Sequence, residues 1–282
     1  MKLPDCILNL SVTNQHMKKK IAIIGGGNLG SAIAQGLVKS KLAKASAITV
    51  TRRNLSKIDH LKKEGFQLTI NNLEAVKNAE LILLCVQPKQ LAGLLAEISA
   101  SISSKHVLVS TITGISTEEI ASHLKKKTAI IRAMPNTAIA IGQSMTCLCA
   151  KDATENQLAE VKNLFDSLGE TLIIEERLMK AATVLAASGI AFFMRYIRAA
   201  TQGGIQMGFD AEEAQLIAAR TAKGAASLLL SSDSHPEIEI DKVTTPEGCT
   251  IAGLNEMEHQ GLSSALIKGI IASFEKISKI KS

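Results

Sequence analysis

The sequence predicts an α/β domain built on a mostly parallel sheet, followed by an all-α domain. Three observations carry this reading. Short apolar runs rich in β-branched residues alternate with helical patterns up to about residue 175. Continuous apolar strands separated by helices mean a parallel sheet covered on both faces. The stretch Gly25-x-Gly27-x-x-Gly30 sits directly after the first apolar run and opens a helical one. After about Glu175 the strand pattern stops and the chain becomes Ala-rich and helical.

In chain order, Lys20 to Gly25 reads as the first strand and Asn28 to Ser40 as the helix it feeds. Further strands are expected at Ala47–Thr51, Gln67–Ile70, Glu80–Val86, Val107–Ile112 and Thr128–Ala133, with helical patterns between them. Gln143–Ala150 and Thr171–Ile174 read as added edge strands around a helix near Glu155–Leu168. In the second half, Arg177–Ile205 is helical. Asp210 reads as the N-cap of a helix over Ala211–Leu230, with Glu213 at the capping-box position. A short helix starts near Thr250, and the last spans Ser263–Ile280. Residues 17–175 therefore form the expected α/β domain and 176–282 the all-α domain. Residues 1–16 read as an N-terminal extension, because Met17 directly precedes KKKIAIIGGG. That segment lacks the small-residue cleavage site of a secretory signal.

Composition narrows the function classes. Hydrophobic residues make up 46% and charged residues 21% of 282, a globular balance. Aromatics are 2%, so the core is aliphatic. The net charge of +6 comes largely from short Lys clusters (Lys18–Lys20, Lys125–Lys127) with no interleaved aromatics, which argues for a solvated surface and against a nucleic-acid partner. Five cysteines with no zinc-type spacing fit a reducing cytoplasm and no metal; Cys147 and Cys149 read as core. The uncharged, Ala-rich run Ala181–Met194 has 14 residues, short of the roughly 20 a spanning helix needs. It reads as a buried helix and not as a membrane span. His106 and His123 read as structural, and His235 before Pro236 as a turn.

The glycine motif, in its place between a strand and a helix, is the fingerprint of a Rossmann-type dinucleotide site. Gly25 permits the tight turn, Gly27 lets a pyrophosphate approach the backbone, and Gly30 lets helix and strand pack closely. Asn28 and Leu29 lie on the helix N-terminus, which supplies free N–H groups and positive dipole charge. An NAD enzyme usually places Asp or Glu at the end of the second strand. This chain has Thr51, Arg52, Arg53 and Asn54 there. Arg binds a 2′-phosphate that an acid would repel, so NADPH is expected in preference to NADH.

Four stretches together resemble the pyrroline-5-carboxylate reductase family, over nearly the whole chain from Lys19. Besides the Gly-rich loop, LILLCVQPKQ resembles that family's strand ending in Val-Lys-Pro. IRAMPNTAIAIGQS resembles its Arg-x-Met-Pro-Asn-Thr-Pro segment. KVTTPEGCTIAGLNEMEHQG resembles its signature Val-(Ser/Thr)-Ser-Pro-Gly-Gly-(Thr/Ala)-Thr and the helix after it, which ends in Glu, here Glu258. The resemblance implies reduction of 1-pyrroline-5-carboxylate to L-proline and self-association through the helical half. It places Val86, Gln87, Pro88 and Asn136 near the cofactor. Thr245, Gly248 and Cys249 would hold the substrate carboxylate, and Thr250 the ring nitrogen as the catalytic hydroxyl. The chain departs from the family at Gln87 for Lys, Ala138 for Pro, Glu247 for Gly and Cys249 for Thr or Ala. Its Ala186-Ala187-Ser188-Gly189-Ile190-Ala191 stands where the family has Ser-Gly-Ser-Gly-Pro-Ala. These changes keep two alternatives open: a related imine reductase, or a dinucleotide-binding relative without turnover. A hydroxyacid dehydrogenase is disfavoured, since the long helix lacks a Lys-Asn pair after Lys180.

Overall fold

In the computed structural model, described for residues 17, 19–232 and 234–278, the chain divides into two compact units with the change at Ala187/Ser188. The expected extension, residues 1–16, lies outside the described residues.

The first unit is a sheet of eight strands: β1 (Ile21–Ile24), β2 (Ile48–Thr51), β3 (Gln67–Thr69), β4 (Leu81–Leu84), β5 (Val107–Ser110), β6 (Ala129–Met134), β7 (Ser144–Lys151) and β8 (Gly169–Ile173). Their order is β3-β2-β1-β4-β5-β6-β7-β8. All neighbours are parallel except β6 and β7. Helices α1 (Asn28–Lys39), α2 (Asp59–Lys63), α3 (Asn72–Lys77), α4 (Leu91–Ile98), α5 (Thr117–Ser122) and α6 (Glu155–Asp166) fill the connections. Strand alternation sorts the core into two layers. Ile21, Ile23, Val50 and Leu83 pack with Ile33 and Leu37 of α1 and Phe165 of α6. Ala22, Ile24, Ile82 and Leu84 pack with Val76 of α3, Leu95 of α4 and Ile120 of α5. Each fully buried aliphatic side chain contributes about 1.5–3 kcal/mol, which is why β1 and β4 carry no polar residue.

Two sequence expectations change here. Gln143–Ala150 is not an edge strand: β7 lies between β6 and β8, and it runs antiparallel to β6. Pairing in parallel needs a crossover of a dozen or more residues, and only a short 3-10 turn, Thr137–Ile141, lies between β6 and β7. His235 is not in a plain turn: its Nδ1 accepts from the Glu237 amide and caps a further helix, with Pro236 at the first helical position.

The helix expected over Arg177–Ile205 is one run in three registers: α7 (Met179–Ala182), a π-helical turn Thr183–Ser188, and α8 (Gly189–Gln206). Its start is anchored in the first unit. Met179 is buried with Met134, Cys147 and Cys149. Arg132, buried on β6, gives Nη1 to Glu176 Oε1 at 3.2 Å, and Glu176 also accepts from the Thr117 amide and hydroxyl. Burial pushes the Glu176 carboxyl up, but the Thr117 hydrogen bonds and the Arg132 guanidinium outweigh it and hold the group below its ordinary value. Glu176→Gln removes the counter-charge of Arg132; because the Glu176 side chain is 35% exposed, about 1–2 kcal/mol of stability, less than for a fully buried pair, should be lost in urea denaturation at neutral pH. The native carboxyl is depressed, so its contribution is full above the ordinary value of 4.5 and disappears as pH falls through the native one. The variant should therefore show a flatter acid limb.

The second unit is all helical: α8, α9 (Ala211–Ser231), α10 (Pro236–Asp241), α11 (Cys249–His259) and α12 (Leu262–Ser278). Gly208, at φ +107, ends α8 with a bond from the Phe209 amide to the Gly204 carbonyl. A Cβ on Gly204 would lie 2.9 Å from Ala214 Cβ, so glycine lets α8 and α9 approach closely. Asp210 and Glu213 close the expected cap of α9. The Ala181–Met194 run is not buried within one chain: Phe193 is 70% and Met194 58% exposed. The helix from Glu176 to Gln206 is, by length and composition, long and apolar enough to cross a membrane.

Candidate functional site

β1 lies between β2 and β4, so the strand order reverses at its C-terminal end, where open α/β sheets bind ligands. Gly25 follows β1 with φ +110, and a Cβ there would meet the Cys85 carbonyl oxygen at 2.4 Å. A Cβ on Gly30 would sit 2.2 Å from the Gly25 oxygen. These two glycines are required by the protein's own packing. Gly27 is different. Its backbone (φ −81, ψ −167) suits any residue, and a Cβ would find nothing within 4 Å. The space before it belongs to no protein atom. It fits a pyrophosphate lying against Asn28, Leu29 and the open start of α1.

The helix starts sharpen this. Asn71, Ser116, Thr154 and His235 each cap their helix with a side chain. α1 and α11 begin instead at glycines, Gly27 and Gly248, with no side-chain cap. Their first N–H groups are free to bind an anion.

At the end of β2, Arg52 is half-buried and gives Nη1 to the Gly26 carbonyl at 2.6 Å, which ties it to the glycine loop. Arg53 is exposed. Asn54 caps the turn after it, its Oδ1 accepting from the Ser56 amide and hydroxyl. No carboxylate follows β2; Thr51 Oγ1 donates to Asn72 Oδ1 at 2.7 Å. Beyond β4, Val86 is half-buried and Gln87 exposed, and the Gln87 amide donates to Gln90 Oε1 ahead of a 3-10 turn opened by Pro88. Cys85 beside them is pushed up to about 11 by burial, against a hydrogen bond from Thr111, and is inert as a thiol. Asn136 has a protein partner at Oδ1, at Nδ2 and at its main-chain N–H. Its Oδ1 accepts from the Ala138 amide, its Nδ2 donates to the Ala186 carbonyl, and its main-chain N–H donates to Ser144 Oγ.

In the second unit, Thr245-Pro246-Glu247-Gly248 is a tight turn closed by the Gly248 amide on the Thr245 carbonyl at 3.0 Å. Pro stands second, and the third residue, Glu247, is at φ +58. That is the position where glycine is preferred, so glutamate there costs roughly 1–2 kcal/mol. The Glu247 side chain is exposed. A Cβ on Gly248 would lie 2.5 Å from Thr245 Oγ1, so glycine lets that hydroxyl close over the helix start. Cys249 is exposed and Thr250 half-buried on the first turn of α11. Glu258 accepts from Ser263 Oγ at 2.7 Å, a structural role, and His259 is exposed. Among the described residues no group of His, Cys and carboxylates could hold a metal.

Sequence reasoning missed the Arg132–Glu176 pair and the π-helical turn. A lone arginine inside the apolar strand AIIRAM was the available signal for the first.

The sheet order, the glycine crevice and the uncapped helix starts define a dinucleotide-dependent oxidoreductase. Comparison with known proteins agrees. Residues 20–114 match a family model described as NADP oxidoreductase coenzyme F420-dependent, and residues 176–280 one described as pyrroline-5-carboxylate reductase dimerisation. Pyrroline-5-carboxylate reductase 2 of Dictyostelium discoideum is 48% identical over 283 residues, 95% of this chain and 95% of that protein. Pyrroline-5-carboxylate reductase 1 of the same organism is 51% identical over 92% of this chain; the match spans 49% of its length, about half. The solved structure of a pyrroline-5-carboxylate reductase from Coxiella burnetii has a TM-score of 0.87 at 27% identity, covering 94% of this chain and all of that one. The chain belongs to the pyrroline-5-carboxylate reductase family.

Proposed function

We propose that the protein reduces 1-pyrroline-5-carboxylate to L-proline with NADPH. The observation that carries this is the pair of helix starts opened by glycine without a side-chain cap, one at the dinucleotide crevice and one at the Thr245–Thr250 loop. One suits a pyrophosphate, the other a small carboxylate.

In this reading the pyrophosphate lies at Gly27, Asn28 and Leu29, while Gly25 and Gly30 shape the loop and its helix start by their close packing. Arg52, Arg53 and Asn54 surround the 2′-phosphate, and Val86, Gln87 and Pro88 border the rest of the dinucleotide. Bound NADPH supplies the hydride. The Thr245 hydroxyl and the Cys249 N–H hold the carboxylate, which fixes the ring in one orientation; Gly248, whose own N–H closes the turn on the Thr245 carbonyl, opens the helix start to it. The Thr250 hydroxyl hydrogen-bonds the ring nitrogen and stabilises it as the imine becomes an amine. Glu247 contributes backbone only. With its side chain in solvent, its charge is screened from the substrate carboxylate. A cytoplasmic location fits the free thiols of Cys85, Cys147, Cys149 and Cys249.

The apolar faces of α8, α9 and α12, with Leu230 79% and Ile267 60% exposed, are covered in this proposal by a second copy. Light scattering should give at least twice the 29.9 kDa chain mass, and a monomer would refute it.

The direct test is to mix the protein with NADPH and 1-pyrroline-5-carboxylate and follow absorbance at the nicotinamide band, with NADH and a linear ketoacid as controls. Rapid oxidation yielding proline is expected; NADPH binding without oxidation would turn the reading to the non-catalytic alternative. Arg53→Ala should weaken NADPH binding by about tenfold and leave NADH binding almost unchanged, since a hydrogen bond to a charged group contributes about 1.5–3 kcal/mol. Equal losses for both cofactors would remove Arg53 from the 2′-phosphate site.

A further inference from the structure

The π-helical turn Thr183–Ser188 interrupts an otherwise α-helical run. Such a turn makes i to i+5 bonds, is rare, and is frequently found at functional sites. It needs something outside the helix to hold it, because the flanking α registers would otherwise propagate through it.

The register is fixed on the N-terminal side. Glu176 is clamped by Arg132 and Thr117, Met179 is fully buried, and Thr183 Oγ1 donates to the Met179 carbonyl at 2.8 Å. Further along, the Ala186 carbonyl accepts from Asn136 Nδ2 at 3.3 Å. Asn136 itself is rigid. Its Oδ1 takes the Ala138 amide at 2.9 Å, its main-chain N–H goes to the buried Ser144 hydroxyl at 3.1 Å, and its carbonyl accepts from the Ile139 amide. It follows the C-terminal end of β6, on the same edge of the sheet as the ends of β1 and β4.

We infer that Asn136 is a positioning residue, whose side-chain amide locks the π-helical turn Thr183–Ser188 at the carboxyl edge of the sheet. The inference rests on the reductase reading for its catalytic consequence. Its Oδ1 and one N–H of Nδ2 have protein partners, so the inferred effect runs through the Ala186 backbone. The turn is thereby tied to the carboxyl edge of the sheet, the edge on which the glycine loop follows β1.

Asn136→Asp tests this. The carboxylate still accepts from the Ala138 amide, but it has no N–H for Ala186. Hydrogen exchange of the peptide spanning 183–189 should quicken at least tenfold while the β1–α1 peptide is unchanged. The NADPH dissociation constant should stay within about threefold. Turnover should fall roughly tenfold, with a larger isotope effect for 4-deuterated NADPH, because small misplacement of reacting groups slows the chemical step. Asn136→Ser, which keeps a short capping oxygen and cannot span to Ala186, should behave alike and serves if the Asp variant does not fold. Unchanged exchange across 183–189 would overturn the inference, as would a loss confined to NADPH affinity. The exchange arm needs no substrate, so failure of the activity reading would not hide its result.

Discussion

Gly27→Val should fold as the parent does and lose its dinucleotide. Valine is compatible with the backbone at φ −81, and a Cβ finds nothing within 4 Å. The melting temperature should therefore move by no more than about 2 °C, as for a surface change. The new methyl groups occupy the space through which a pyrophosphate reaches the α1 N–H groups. Loss of those contacts should raise the NADPH dissociation constant at least about a hundredfold, roughly 2.8 kcal/mol. The neighbouring glycines make the control. Gly30→Ala puts a Cβ 2.2 Å from the Gly25 oxygen, and Gly25→Ala puts one 2.4 Å from the Cys85 oxygen at positive φ. Those two should lower the melting temperature before any ligand is added. Fluorescence titration with NADPH beside a thermal scan separates the classes. Undiminished binding by Gly27→Val would mean that the dinucleotide lies elsewhere. A fall in both readouts would make Gly27 a packing residue like its neighbours.

Much of the first unit was legible because its strands are buried on both faces. A residue such as Ile23 or Leu83 has no polar alternative, and the apolar runs therefore mark the strands almost to the residue. The glycine motif was legible for the same kind of reason, since backbone crowding at Gly25 and Gly30 leaves one residue type. The direction of β7 is readable too, from the short connection after β6, and Pro236 is a helix-start signal as well as a turn residue. What could not be read depends on distant partners. The π-helical turn is set by a side chain 50 residues away in sequence, and no local pattern in Thr183–Ser188 encodes it. The exposure of Phe193 and Met194 is likewise a property of a single chain whose apolar face has no partner in it. In the Thr245–Thr250 loop the sequence showed that glutamate replaces glycine at 247. Only the structure shows that this position is the one with positive φ.

Thr250→Ala should cost about a hundredfold in kcat/KM toward 1-pyrroline-5-carboxylate. Thr250 sits on the first turn of α11, where the glycine start at 248 leaves the helix without a side-chain cap. In the proposed reaction the N–H groups would bind the carboxylate equally before and during reaction and so set KM. In the proposed reaction the hydroxyl meets a nitrogen whose charge and basicity change as the imine is reduced, so its hydrogen bond would strengthen in the transition state. Removing one such preorganised donor typically costs 10²–10³ in rate. If that is its role, kcat and kcat/KM fall together, and Thr250→Ser restores most of both. If KM rises alone, Thr250 is a binding group no different from Thr245. Cys249→Thr supplies the contrast. Position 249 presents its backbone N–H, which the substitution retains, and its side chain is exposed. Turnover should therefore stay within about threefold, as for a surface change. A large change there would mean that the Cys249 side chain, and not only its amide, meets the substrate.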